Sequence, residues 1–260
     1  MAHEMLTPPA RPLPRGKISY EQFLQWLDED TWAEWVDGEV ELTSPVSMQH
    51  DRVHVFLVAV LHAYTSANRL GEIHSEPFQM KIGVDLPGRS PDILFVSNEH
   101  LHRLKPTHLD GPADLVVEIV SAESAERDRV QKFAEYERGG VREYWLIDPD
   151  KRQAEFYQLG EDGRYVCGFS GGAGVYHSAV LSGFWLRVEW LWQQPPLIDI
   201  LRDWGLAIIA LVGLVRLLLH PITRKSQLSM TKMSKLRSNP RTSDLKPGSR
   251  TCRSRPSVRT

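Results

Sequence analysis

The segment Ala113–Val120 (A-D-L-V-V-E-I-V) constrains this chain more than any other part of it. It is mostly aliphatic and β-branched, which suits a strand buried on both faces. A sheet built around such a strand must be covered on either side, which predicts an α/β domain. The same segment carries Glu118 in its interior. A carboxylate there is costly unless it is paired or binds a cation.

The neighbouring segments supply the layers. Ser19 and Gln22 form a capping box for a helix whose apolar stripe is Phe23, Trp26 and Leu27. Glu39–Thr43 alternates as a strand and Pro45 stops it. Met48–Asn68 places Val53, Phe56, Leu57, Val60, Leu61 and Tyr64 at helical spacing, with Gly71 closing the helix. Strands are predicted at Phe78–Val84 and Asp92–Val96, with residues 97–112 as a loop. A helix over Ser124–Arg138 ends at Gly139-Gly140. Further strands fall at Glu143–Ile147, Gln153–Gln158 and Arg164–Gly168, the last two joined by a Gly-Glu-Asp-Gly turn. The predicted fold class is α/β, with one central mixed sheet flanked by helices.

Charge divides the chain in two. Residues 1–222 hold 20 Lys and Arg against 32 Asp and Glu, whereas residues 223–260 hold 11 against Asp244 alone. Five regions follow: a Pro-rich arm at 1–17, a globular domain at 18–192, a linker at 193–203, an apolar helix at 204–222 and a disordered basic tail at 223–260. The helix at 204–222 is about as long as a bilayer span requires, so membrane association through it is an expectation. Two cysteines, Cys167 and Cys252, exclude a disulfide framework and a four-cysteine zinc site. No secretory signal is visible, and the domain is expected in the cytoplasm.

The candidate chemistry is acidic. Pro91-Asp92 puts Asp92 at the start of one apolar strand, and Glu118 lies inside another. Two carboxylates on neighbouring strands, with a backbone carbonyl, form an oxygen site suited to Mg²⁺, and Mn²⁺ is the alternative ion. Such a metal activates water. Asp128, Lys132 and Tyr136 are spaced i, i+4, i+8 and project together, so Lys132 can point at the carboxylates. Val130, Phe133 and Ala134 form the packing face. Glu39 and His50 are auxiliary members. The same residues also admit a purely structural arrangement, with Asp92 capping a turn and Glu118 paired to Lys132.

Motif order now carries a resemblance. V-D-G-E at 36–39, S-P at 44–45, His50, P-D at 91–92, D-L-V-V-E-I-V-S at 114–121, D-R-x-x-K at 128–132, Tyr136 and G-V-R-E-Y-W-L-I-D-P at 140–149 together resemble the Uma-two family. These are endonucleases of the PD-(D/E)XK restriction-endonuclease fold, and the resemblance covers about residues 18–192. It implies that Asp92 and Glu118 are metal ligands and that Glu39 assists. DNA is the expected substrate, with RNA left open, and a homodimer is expected because a duplex has two strands and one site cuts one. One departure stands out: Val120 occupies the position of the superfamily's lysine. Lys132 on the next helix is the expected substitute.

Residues 203–236 have a resemblance of their own, to the first core transmembrane helix of the YidC/Oxa/Alb membrane insertases. It implies that Arg216 matches the arginine of the insertase groove. The match is confined to about 34 residues, so no insertase activity is assigned. The leading expectation is a metal-dependent endonuclease. The alternatives are a non-catalytic nucleic-acid-binding or assembly module on the same fold, and a membrane-anchored fusion carrying an insertase fragment. The acidic body is a difficulty for DNA binding. Arg52, Arg89, Arg103, Lys105, Arg127 and Arg129 are the cations available for a local cleft.

Overall fold

Ser19 caps helix α1 (Tyr20–Trp26) as its capping box requires, accepting from the Gln22 amide at 3.2 Å while the Gln22 side chain accepts from the Ser19 amide at 2.9 Å. The structure, a computed structural model, describes residues 12–28, 31–43 and 45–205. A hairpin follows, β1 (Ala33–Val36) and β2 (Glu39–Leu42). Its turn is Asp37-Gly38, both at positive φ, which matches the twist of the flanking strands. Helix α2 (Met48–Asn68) occupies the span its periodicity predicts and buries Val53, Leu57, Val60 and Leu61. It ends on Arg69 in the left-handed region. Gly71 opens strand β3 (Gly71–Ser75) instead of closing the helix, because a Cβ there would lie 2.1 Å from the Val96 carbonyl oxygen.

Short strands then alternate with turns: β4 (Gln79–Lys81), β5 (Gly88–Arg89) and β6 (Ile93–Ser97). The segment expected as a loop contains a 3₁₀ turn, Leu101–Arg103, and strand β7 (His108–Asp110). Strand β8 (Leu115–Ile119) is buried at every residue, as its composition demands. A π-helical segment, Arg127–Lys132, leads into α3 (Phe133–Gly139), which Gly140 closes at φ 83°. Strands β9 (Glu143–Asp148), β10 (Gln153–Leu159), β11 (Tyr165–Gly171), β12 (Val175–His177) and β13 (Trp185–Arg187) precede helices α4 (Trp190–Gln193) and α5 (Leu197–Trp204).

These strands form three sheets where one was expected. The larger is six-stranded, in the order β11-β10-β9-β8-β6-β3, and is mixed because only β8 and β9 run parallel. A five-stranded sheet, β2-β1-β5-β4-β7, stands beside it, and β12 pairs with β13. Leu94, Val96, Val116, Tyr136, Tyr144 and Leu146 share one core cluster. Phe133 packs against it, but Val130 and Ala134 are exposed, contrary to expectation. The extra residue in each π turn displaces the helical phase on which that expectation rested.

One compact unit runs to Asp199. Another starts at Ile200, of which Ile200–Gly205 is described. The segment 206–260, including Arg216 and nearly all of the expected apolar helix and basic tail, lies outside the described residues. Among the described residues, no helix is long and apolar enough to cross a membrane.

A buried carboxylate fastens the last strands to the large sheet. Glu143 accepts hydrogen bonds from Trp145 Nε1 (2.6 Å), Tyr176 OH (2.9 Å), Ser178 Oγ (2.8 Å) and the amides of Ala179 and Val180 (both 2.9 Å). Removing it leaves several buried donors unsatisfied at once. Glu143→Ala should therefore cost about 3 kcal/mol or more in urea denaturation, against about 1 kcal/mol for Ser178→Ala, which removes a single partner.

Candidate active site

Antiparallel pairing matches Ile93 of β6 with Val117 of β8, so the register carries Asp92 opposite Glu118. Residues that face each other across such a pair project to one side of the sheet. A cavity of about 320 Å³ opens here, lined by Glu34, His50, Glu76, Asp92, Glu118 and Lys132 among others.

Each carboxylate is held by named donors. Asp92 Oδ2 accepts from the Ile119 amide and lies 3.2 Å from His50 Nε2. The Asp92 carbonyl oxygen meets His54 Nε2 at 3.0 Å. Glu118 Oε2 accepts from Lys132 Nζ at 2.9 Å, and its Oε1 accepts from Tyr136 OH at 2.6 Å. Lys132 Nζ also stands 3.4 Å from Glu34 Oε1 and 3.5 Å from Asp128 Oδ1. Its ammonium is thus enclosed by three buried carboxylates. The i, i+4, i+8 reading of Asp128, Lys132 and Tyr136 survives the π segment at these three positions.

Glu34, which the sequence reading passed over, ties the site together. Its Oε1 accepts from the Ser90 amide at 3.1 Å and its Oε2 from Arg89 Nη1 at 3.0 Å. The other edge of the wholly buried Arg89 grips Glu135 through two bonds of 2.8 and 2.7 Å. The hairpin that carries Glu34 has a sequence signal, although the burial of Glu34 does not. A-E-W-V-D-G-E-V-E-L alternates on both sides of an Asp-Gly turn, which marks a two-stranded hairpin with Glu34 in its first strand. Glu39, the expected auxiliary, pairs with Val36 across that turn on edge strand β2. It is exposed and does not line the cavity. Val120 is buried beside Val116 and Tyr136 in the core.

Electrostatics separates the acids. Burial pushes Glu34 up, but Lys132 and Arg89 outweigh it and hold the carboxyl down to about 2. Burial pushes Glu118 well above the usual carboxylate range; Lys132 opposes this and Asp92, Asp128 and Glu34 add to it. Burial and Asp92 push Glu76 up to about 7. Burial lowers His50, but its hydrogen bond to Asp92 leaves it above its ordinary value. Negative charge is therefore in surplus around the cavity. Four of its residues also keep buried polar atoms without a hydrogen-bond partner: His50 Nδ1, Ser90 Oγ, Arg127 Nε and Asp128 Oδ1. Buried polar groups are normally satisfied, so such a concentration marks a place for polar ligands.

The donor set fits a hard divalent cation. Asp92 and Glu118 offer oxygens from adjacent strands, and the charge surplus favours a cation beside them. Among the described residues, no group of three or more His, Cys, Asp or Glu is disposed to hold a metal ion. Mg²⁺ is commonly held by one or two carboxylates, with water and substrate phosphates completing its shell. Of the cations expected for a cleft, Arg89 is consumed by Glu34 and Glu135, and Arg129 by Glu155 and Asp148.

Residues 20–189 match the family model Uma2, described as "Putative restriction endonuclease". The chain belongs to the Uma2 family. No curated protein matches this Uma2 chain. Among solved structures, it is similar to a crystal structure described as a putative nuclease belonging to DUF820 from Anabaena variabilis ATCC 29413. The two share 17% identity over 68% of this chain and 98% of the other, with a TM-score of 0.56. That likeness is one of fold, and it bears out the expected nuclease-like α/β architecture.

Two stability measurements probe the site. Lys132→Met leaves three buried carboxylates without their shared cation and should cost about 3–5 kcal/mol by chemical denaturation. Glu34 has a folded value of about 2 against an ordinary 4.5, which stabilises the fold by roughly 3 kcal/mol. That contribution is fully present above pH 4.5 and is lost as pH falls toward 2. Glu34→Gln should flatten the acid limb of the stability curve in that window; an unchanged limb would contradict the assignment.

Proposed function

We propose that this Uma2 protein is a metal-dependent endonuclease that hydrolyses phosphodiester bonds of DNA, with Asp92 and Glu118 holding Mg²⁺ or Mn²⁺. The observation that carries this reading is the register that sets Asp92 against Glu118 at a cavity rich in unsatisfied polar atoms. The family description and the fold likeness support it. A bound divalent ion supplies an acidified water and neutralises charge on the phosphate.

The chain's own residues do the positioning. The Ile119 amide and His50 orient the Asp92 carboxylate. Lys132 and Tyr136 fix both oxygens of Glu118. Burial lowers Lys132, but Glu118, Glu34 and Asp128 more than offset this, so its ammonium stays charged at the cavity, where negative charge would build on the phosphoryl oxygens. A homodimer supplies one such site for each strand of a duplex, and the cytoplasm is the proposed compartment. Membrane association through 204–222 and the groove residue Arg216 rest on sequence alone and form no part of this reaction.

A second reading has one observation in its favour. Lys132, the substitute for the missing strand lysine, is committed to three carboxylates, as in a structural ion-pair cage. A non-catalytic nucleic-acid-binding module would need nothing more. Plasmid nicking by the full chain separates the two. Metal-dependent nicking that EDTA abolishes, and that Asp92→Ala reduces to the EDTA background, is the expected result. A folded wild-type protein that never nicks DNA in Mg²⁺ or Mn²⁺ favours the binding module.

A further inference from the structure

Three cationic side chains stand in or behind the cavity, and two of them already have two or more carboxylates within salt-bridge distance. Arg89 is wholly buried and divided between Glu34 and Glu135. Lys132 is enclosed by Glu118, Glu34 and Asp128. Arg127 differs. It lines the cavity, its side chain is 32% exposed, and its Nε is buried without a hydrogen-bond partner. The carboxylate beside it, Asp128 Oδ1, lies 3.9 Å from that Nε, beyond hydrogen-bond reach. Asp128 can therefore orient the guanidinium by charge without occupying the donor.

We propose that Arg127 is the phosphate-binding residue of this site, donating from Nε and one Nη to the two non-bridging oxygens of the phosphodiester in the cavity. The inference rests on the nuclease reading and adds a substrate contact to it. A guanidinium presents parallel donors that match two oxygens of a phosphate, which a lysine cannot do. A buried N–H without an acceptor is costly, and a phosphate oxygen would satisfy it. Ser90 Oγ, also buried and without a partner, lines the same cavity and provides a further donor. The body's acidity gives this contact added weight. With residues 1–222 carrying 32 acids against 20 bases, broad electrostatic attraction to a polyanion is weak, and binding depends on local donors.

The test compares full-length wild type with Arg127→Ala and Arg127→Lys, using thermal unfolding to confirm that each variant is folded. In plasmid nicking, Arg127→Ala should raise KM about 10- to 100-fold, with a smaller effect on kcat. It should also reduce the slope of log affinity against log salt by about one. Arg127→Lys should recover part of the loss, because it keeps the charge and loses the fork. If wild type nicks DNA and Arg127→Ala shows unchanged KM and salt slope, the inference is overturned and the nuclease reading stands. If wild type nicks nothing, the nuclease reading falls. Titration with inorganic phosphate, followed at the Arg127 Nε–H resonance, then decides: a saturable shift sustains the anion contact and no shift overturns it. The same titration on wild type decides the matter if Arg127→Ala fails to fold.

Discussion

The ammonium of Lys132 lies between Glu118 of the six-stranded sheet and Glu34 of the five-stranded sheet, with Asp128 from its own helical turn as the third carboxylate. Taking each of these charges out of water costs several kcal/mol, and only close mutual contact offsets that cost. Two unit charges about 4 Å apart attract by roughly 4 kcal/mol at the effective dielectric of a partly wet site. No single pair covers its own desolvation comfortably; one cation shared by three anions does better for the cation. The cage is thus a collective object, and the two sheets meet where it closes. This is a physical reason for the ammonium to come from a helix. Val120, the residue that follows β8, is committed to the core with Val116 and Tyr136.

The arrangement leaves the anions unequally served. Glu34 takes the greatest share of positive charge, from Lys132 and Arg89 together, and stays ionised down to about pH 2. Burial pushes Glu118 and Glu76 upward, nearby carboxylates add to it, and Lys132 only partly opposes it. Environments that push neighbouring carboxylates apart in this way are characteristic of functional sites. The unsatisfied atoms on His50, Ser90, Arg127 and Asp128 surround the same space. An acid surplus together with the unsatisfied donor of Arg127 in one cavity suits a cation and an anion bound together better than either alone.

Much of this was legible in the sequence wherever a physical period was long enough to register. Helix α2 spans six turns and declared its bounds, and the capping box at Ser19 is a two-residue signature with a definite geometry. Strand β8, with Glu118 among aliphatics, pointed to both the sheet centre and the site. The i, i+4, i+8 spacing of Asp128, Lys132 and Tyr136 was enough to place them on one face, where Lys132 and Tyr136 both reach Glu118. What escaped lies in strands of two to four residues, such as β5 with Arg89 and β7 with Leu109, where no periodicity can develop. Glu34 and Glu39 show the limit most clearly. Both flank the same Asp-Gly turn, and only the pairing of β1 with β5 decides that Glu34 is the one buried. A single chain read in one dimension does not contain that pairing.

An ammonium carried on a helix makes the site depend on how that helix docks. A lysine on β8 would be positioned by the sheet ladder itself. Lys132 is positioned only if its helix docks, and that docking is secured by Arg89 reaching from β5 to Glu135 and by Tyr136 donating to Glu118. The π-helical segment Arg127–Lys132 belongs to the same compromise. Such turns are rare and often found at functional sites, because they are less stable than α-helix and persist only where side chains over-determine them. Here Asp128 and Lys132 are fixed by the cage at one face of the segment while Val130 is left in solvent at another. The irregular turn, the buried lysine and the exposed valine share one origin: the helix is placed by its charges before it is placed by its apolar residues.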